Sequence, residues 1–598
     1  MRIETSGLSG CSGSTPWTRA ARAGVRVGVL VPLLVAVCSV VWTGPAFAET
    51  VVPTPVETAT VLPTDVPTPT VDATATDTPV TSAPSTPDAS VVTTPAPTSD
   101  SPVPSSAAPT ATPTASTSEV EPTTSASQPG SAVLEGEPPA WWIAGEDPTS
   151  WIIAVLVLIA SAALVVLLSR RPDVAEPVLA PPAQPSLDAR VGTAAGLATL
   201  EAVGEAMIDA GYSVTGVHSA LVDIARVNGY PATEIVVFPT ALLISARGVS
   251  EVRTGVVSSG YRPLRLDQID ALDDVIRAAR ARPAEGGVIT AGIAAMREMP
   301  SPYSKLQRVV AYSVLSAGLS VLLGGSWVGV GVAALLGAIV GTILMVTVDI
   351  QRQYQALVTV GLSFFVSVTV FTLTQLGFDP GVLAALIAPI VILLPGGLLT
   401  TGVIELATGQ MMAGAGRLAA GTMQLMLLAA GVVAGAGLAG VPELAFGEAQ
   451  TPIGPIGPWL AVAIFGIGIV IYQGGRPASI GWILLVLYVA YGGQVLGDVF
   501  FGGVLSAMIG AFVMTPVAYL VAKQPKGPAA FASFLPAFWM LVPGSLGLVG
   551  VTGILDGDSA GLTTLSTTAS TMVAIMLGIL AGSALGNRLD GSGTVAAV

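Results

Sequence analysis

The stretch "IVILLPGGLLTTG" (390–402) sets Pro395, Gly396 and Gly397 inside a long apolar region. Thr400, Thr401, Glu405 and Arg417 follow closely. Far downstream, "FWMLVPGSLGLVG" (538–550) repeats the arrangement with Pro543, Gly544 and Ser545. Proline withholds an N–H and frees the carbonyl one turn back, and glycine lets the chain unwind. Backbone groups released in this way can bind a polar solute at a depth where a side-chain charge is too costly. Either motif alone fits a simple kink satisfied by neighbouring helices; it is their pairing that argues for a substrate or ion pathway through all these positions. Glu405 is a candidate ionisable group, the alternative being a carboxylate that snorkels into the interface. It shares a helix face with Arg417 about three turns away, so the two touch only if the chain folds back.

The elements that must hold these residues are membrane spans. The 598-residue chain is 52% hydrophobic and 10% charged, against about 25% charged in soluble domains; its mean hydropathy is +0.75. Several apolar stretches exceed 18 residues, enough to cross a bilayer. A net charge of −14 argues against nucleic acid, which rewards basic surfaces. Cys11 and Cys38 lie at the N-terminus and build neither a disulfide framework nor a metal site, and His218 is the only histidine. Neither catalytic residues, a metal set nor a cofactor site is expected. "GAGLAG" (435–440) matches a dinucleotide fingerprint but lies inside a span, where small-residue helix packing explains it. No Gly-Lys-Ser/Thr phosphate loop is present, which excludes ATP as the energy source.

Along the chain, residues 1–48 read as a signal peptide. Arg19, Arg22 and Arg26 precede an apolar run, and "AFA" predicts cleavage before Glu49; an uncleaved anchor is the alternative. A Thr/Pro/Ser-rich stalk fills 49–140 and cannot bury enough apolar area to offset its ordering entropy. Trp141, Trp142 and Trp151 suit an outer interface, 151–168 forms an anchor helix, and Arg170 and Arg171 stop transfer. Residues 171–303 hold a small cytoplasmic α/β domain: a helix from about 190, a second capped by Ser213, two strands turning near Pro239, a third strand at 251–259 and a helix at 266–281.

Ten spans are expected after it, in two five-helix halves at 308–440 and 457–588, with a cytoplasmic tail at 589–598. The positive-inside rule supports this division. Lys305, Arg308, Arg352, Arg417, Arg476, Lys523, Lys526 and Arg588 all fall in alternate loops; the others carry Asp379, Glu443, Glu448, Asp556 and Asp558. Five is odd, so the second half enters the membrane upside down. The two Pro-Gly motifs then lie at nearly equal depth from opposite faces, as in inverted-repeat transporters. The expected fold class is a polytopic α-helical membrane protein with a 5+5 inverted repeat, one anchor helix and a cytoplasmic α/β domain.

"LATLEAVGEAMIDAGYSVTGVHSALVDIARVNGYPATEIVVFPTALLIS", "LLPGGLLTTGVIELATGQMMAGAGRL" and "LPAFWMLVPGSLGL" resemble the soluble domain and two membrane signatures of the bacterial threonine/serine exporter family, over about 190–588. The resemblance implies export of threonine and serine across the plasma membrane, driven by protons. Related systems with the halves on separate chains are associated with dicarboxylate export, which is the alternative substrate class. Glu405 stands where the family resemblance implies an acidic residue, usually aspartate. Expected partners are an amino-acid substrate, protons and the lipid bilayer, with homo-oligomerisation open. The competing classes are a surface protein whose stalk is the working part, and a membrane enzyme using the α/β domain.

Overall fold

The computed structural model describes residues 148–590, apart from 170–188, 231–232, 248–251, 261, 282–285, 349, 442–452, 525 and 542. The signal, the stalk, Trp141, Trp142, Arg170, Arg171, Glu443, Glu448 and the tail beyond Asp590 lie outside the described residues. Helix α1, Pro148–Ser169, covers the expected anchor. The α/β domain follows, with α2 (Ala189–Ala210), α3 (Val214–Val227), strands β1 (Thr233–Phe238), β2 (Ala241–Arg247) and β3 (Val252–Ser258), then α4 (Leu266–Ala281) and α5 (Gly286–Glu298). The sheet is antiparallel in the order β1-β2-β3, with Ile235 opposite Ile244 and Ile244 opposite Gly255. Strand alternation sends Leu242 and Ile244 into a core with Val203, Leu221, Ile224 and Leu272. Ser213 caps α3 by accepting the Gly216 N–H, as its type and position predict. Helix α5 was not anticipated from sequence. Gln268 reaches its end and donates to the Met296 carbonyl at 3.1 Å.

The membrane body comprises α6 (Lys305–Leu322), α7 (Trp327–Thr347), α8 (Arg352–Gln375), α9 (Val382–Ile387), a 3-10 turn Ala388–Leu393, α10 (Gly396–Ala407) and α11 (Met411–Leu438). After these come α12 (Gly457–Tyr472), α13 (Ile480–Phe501), α14 (Gly503–Ala522), α15 (Ala530–Leu541), α16 (Pro543–Asp556) and α17 (Ala560–Asp590). Among the described residues seven helices are long and apolar enough to cross a bilayer, or eight if the bent pair Val382–Leu393 and Gly396–Ala407 is one span. The expectation of ten is thus met in part. Of the ten expected segments, α6 and α12 fall outside that count. Helix α6 opens on Lys305 and Arg308 and carries Ser313, Ser316 and Ser320; α12 has 16 residues. Both are held by each other. A Cβ on Gly318 would lie 2.7 Å from the Phe465 nitrogen, and one on Gly468 would lie 2.7 Å from that of Leu315. Two glycines therefore let the backbones meet, and a helix so covered has less need of an apolar outer face.

Packing follows a recurring pattern. Helix α6 packs on α7 as α12 does on α13; α8 packs on α11 as α14 does on α17; α10 packs on α11 as α16 does on α17. The broken segments cross over, α11 against α16 and α10 against α17. One contact departs from it: α13 lies extensively along α14, whereas α7 and α8 touch only slightly. Helix α1 packs on α13, where Ala154 is fully buried and a Cβ on Gly492 would come within 3.6 Å of the Ala154 carbonyl oxygen.

Candidate functional site

The first Pro-Gly motif breaks its span completely. Helix α9 ends at Ile387, the chain tightens into the 3-10 turn and Leu394 is extended (ψ 128). Pro395 precedes α10, and the two flanking pieces differ in direction by 64°. Pro389 shares the cause, since it too lacks an N–H for the turn before it. Two carbonyls of the broken segment are bonded by side chains from other helices, while that of Val391, one turn before Pro395, accepts the Leu394 N–H at 3.0 Å. The Tyr312 hydroxyl donates to the Pro389 oxygen at 2.9 Å, and Gln424 Nε2 donates to the Leu393 oxygen at 2.6 Å. The second motif is milder. Pro543 begins α16, where its missing N–H costs nothing, and Ala530–Asp556 reads as one span by length and hydropathy.

The two motifs meet. A Cβ on Gly544 would lie 3.1 Å from Leu394 Cβ, 3.2 Å from the Gly396 nitrogen and 3.4 Å from Gly396 Cα. Two backbone segments therefore touch where a side chain on Gly544 would separate them. Thr400, one turn into α10, is fully buried and its hydroxyl has no hydrogen-bond partner among the described residues; Ser533 on α15 is in the same condition. Ser545 is fully buried and Thr401 half-buried. A Cβ on Gly397 would meet nothing within 4 Å among the described residues.

Glu405 and Arg417 are brought together, but away from the break. Gly409, at φ +87, reverses the chain between α10 and α11, a left-handed conformation that favours glycine. The reversal lays Arg417 Nε 3.0 Å from Glu405 Oε2, with side-chain exposures of 11% and 0%. That approach is an ion contact whose geometry falls short of a hydrogen bond, since both atoms otherwise lack a partner among the described residues. Nine residues of helix separate Gly396 from Glu405, about 14 Å at 1.5 Å per residue. What Glu405 touches is the α/β domain. Its Oε1 accepts the Val214 N–H at 2.9 Å, at the first residue of α3, where the helix dipole favours an anion. Arg417 Nη2 donates to the Tyr212 carbonyl at 3.0 Å.

Sequence reasoning missed a second contact of this kind. Asp270 on α4 accepts from Arg476 Nε at 2.8 Å and from the Ala529 N–H at 2.8 Å. Burial pushes its carboxyl up from 3.8 to about 6, against the opposing pull of Arg476 and the Ala529 amide. The native state thus holds this proton more firmly than the unfolded chain, and stability falls as pH rises from about 4 to about 6, then levels. Relative to Asp270→Asn, the wild type is expected to lose on the order of 1 kcal/mol between pH 5 and pH 7. Melting curves of both proteins at the two pH values check this; a pH-independent difference would contradict it. The signal that could have found Gln424 was a long polar side chain in the apolar run "MQLMLLAA"; Tyr312 stands among the serines of α6 and nothing singles it out, and nothing in the local pattern around Asp270 distinguishes it from the other acids of α4.

Long apolar helices, a broken span and a small three-stranded domain define the class: a polytopic helical membrane protein. Residues 199–439, less than half of the chain, match the family model described as "Putative threonine/serine exporter". The chain is also 26% identical over 246 residues to Pheromone-regulated membrane protein 10 of Zygosaccharomyces rouxii, a match covering 39% of this chain and 24% of that protein. The chain therefore spans about a quarter of the length of the curated relative it matches. No solved structure matches it.

Proposed function

We propose that this protein is a secondary active exporter of threonine and serine, driven by the proton gradient, with its substrate pathway at the meeting of the two Pro-Gly motifs. The observation that carries the reading is the contact of Gly544 with Leu394 and Gly396. Two sequence-distant Pro-Gly motifs converge, and buried hydroxyls of Thr400 and Ser533, unpaired among the described residues, are carried by the flanking helices. The recurring helix packing supports two five-helix halves related as an inverted repeat, with α6–α11 as one and α12–α17 as the other. The bonds from the domain to Arg417, Gln473, Arg476 and Ala529 support placing these loops on one side, which the positive-inside rule makes the cytoplasm of a plasma membrane. The family description agrees with the substrate class.

The break is held by Tyr312 and Gln424 in this conformation. A substrate donor can reach those carbonyls by using the second lone pair of each or by displacing these donors. Proteoliposomes loaded with threonine are the test. Threonine is expected to leave at least about 10-fold faster than from protein-free vesicles when a proton gradient is imposed, and a protonophore should remove the difference. Efflux of small dicarboxylates instead, or threonine efflux indifferent to the protonophore, would overturn the substrate or the coupling respectively.

A further inference from the structure

The α/β domain is bonded to the membrane body at two separate places. The first is on the α10–α11 hairpin, where Glu405 holds the Val214 N–H and Arg417 holds the Tyr212 carbonyl. The second is on the other half. There Asp270 bridges Arg476 and the Ala529 amide, and the Leu266 N–H donates to the Gln473 carbonyl at 3.1 Å. Tyr212 belongs to both. Its carbonyl serves Arg417 of the first half, while its ring stacks at 4.3 Å on Phe531 of the second. One residue of the domain thus spans the seam between the halves, directly over the ends of the helices that carry the breaks.

These contacts are made by groups that are expensive to leave unpaired. Glu405 and Asp270 have side-chain exposures of 0% and 1%, and a buried charge deprived of one partner is strongly destabilised. The domain's core around Leu221, Leu242 and Leu272 runs on into Ala413 of the first half and into Ala529, Phe531 and Ala532 of the second, so packed side chains as well as hydrogen bonds tie the domain to both halves. A route opening on this side of the membrane must part α10 from α15. It cannot do so while one rigid body grips both.

We propose that the α/β domain is a gate: docked, it clamps the two halves together on its own side and closes the pathway there, and it must release one dock for that side to open. This rests on the transport reading above, because the pathway it closes is the one assigned there. The coupling it requires is a differential affinity of the domain for the closed and open arrangements.

The test loosens one dock from an exposed position. Arg476 is 41% exposed and lies in a loop, so Arg476→Glu faces Asp270 with a second carboxylate without disturbing a core; Arg476→Gln is the milder variant should the first fail to fold. Hydrogen–deuterium exchange on the full chain is expected to rise at least about 10-fold at 396–407 and 530–541 in the Glu variant. The domain core at 217–224 should remain as protected as in the wild type. In a chain with Cys11 and Cys38 replaced by serine, a Thr401→Cys thiol should react with a water-soluble maleimide correspondingly faster once Arg476→Glu is added. Unchanged exchange and labelling at the breaks, with the Ala529 amide newly exposed, would overturn the proposal, since the domain would have let go without opening anything. The predicted exchange with no threonine movement in any variant would instead uphold the gate and refute the transport reading.

Discussion

Leucine at Gly544 is expected to abolish transport, by at least about 100-fold at equal membrane level. The cause is steric and local. A single methyl there would already sit 3.1 Å from Leu394 Cβ and 3.2 Å from the Gly396 nitrogen, tighter than ordinary contact. Alanine can be accommodated if the neighbours give a few tenths of an ångström, but leucine adds three more carbons against backbone, which cannot rotate away. Overpacking of this kind costs typically about 1–3 kcal/mol, so the protein should fold with a lowered melting temperature while the two breaks are forced apart. Gly544→Ala should fall between the wild type and Gly544→Leu in both transport and melting temperature. Gly397→Ala is the contrasting case for stability, because its Cβ would meet nothing within 4 Å among the described residues, and it should not lower the melting temperature. Efflux and thermal unfolding of the three variants decide the matter; wild-type transport in Gly544→Leu would mean that the close approach of the breaks has no part in the pathway.

Removing Arg417 is the second large effect. Arg417→Met keeps much of the apolar stem but leaves Glu405 fully buried, with the Val214 N–H as its one remaining partner among the described residues. Breaking a buried pair from one side costs about 3–5 kcal/mol. The double variant Glu405→Gln/Arg417→Met should recover most of it, because a neutral amide oxygen still accepts from Val214 and no uncompensated charge remains. Denaturant unfolding of wild type, both single variants and the double variant gives the coupling directly. A cost under about 0.5 kcal/mol for Arg417→Met would show that Glu405 is relieved by water. Glu405→Gln also speaks to mechanism: gradient-driven export that survives it would remove Glu405 from the proton's route and leave it a tie between domain and membrane.

The amino-acid sequence by itself determined the class of this protein, because class depends on local composition and period. Charge content and apolar run length dictate a membrane solvent whatever the fold. The caps and β-branched runs of 213–258 dictate a helix and strands, since capping and strand alternation act over a few residues; the Ser213 cap and the turn after Phe238 stand where they were expected. The Pro-Gly positions were legible for the same reason, since a missing N–H is a property of one residue. What only the tertiary structure decided is who answers the groups these elements leave open. Tyr312 and Gln424 reach the carbonyls of Pro389 and Leu393 from other helices. Gly544 meets Gly396 across a long stretch of sequence. Glu405 turns out to face Val214 of the α/β domain as well as Arg417, and Asp270 finds Arg476. Each of these pairings depends on a reversal or a docking, and the free energy that selects it belongs to burial and to the cost of an unpaired polar group, quantities that no single segment possesses until its neighbours are in place.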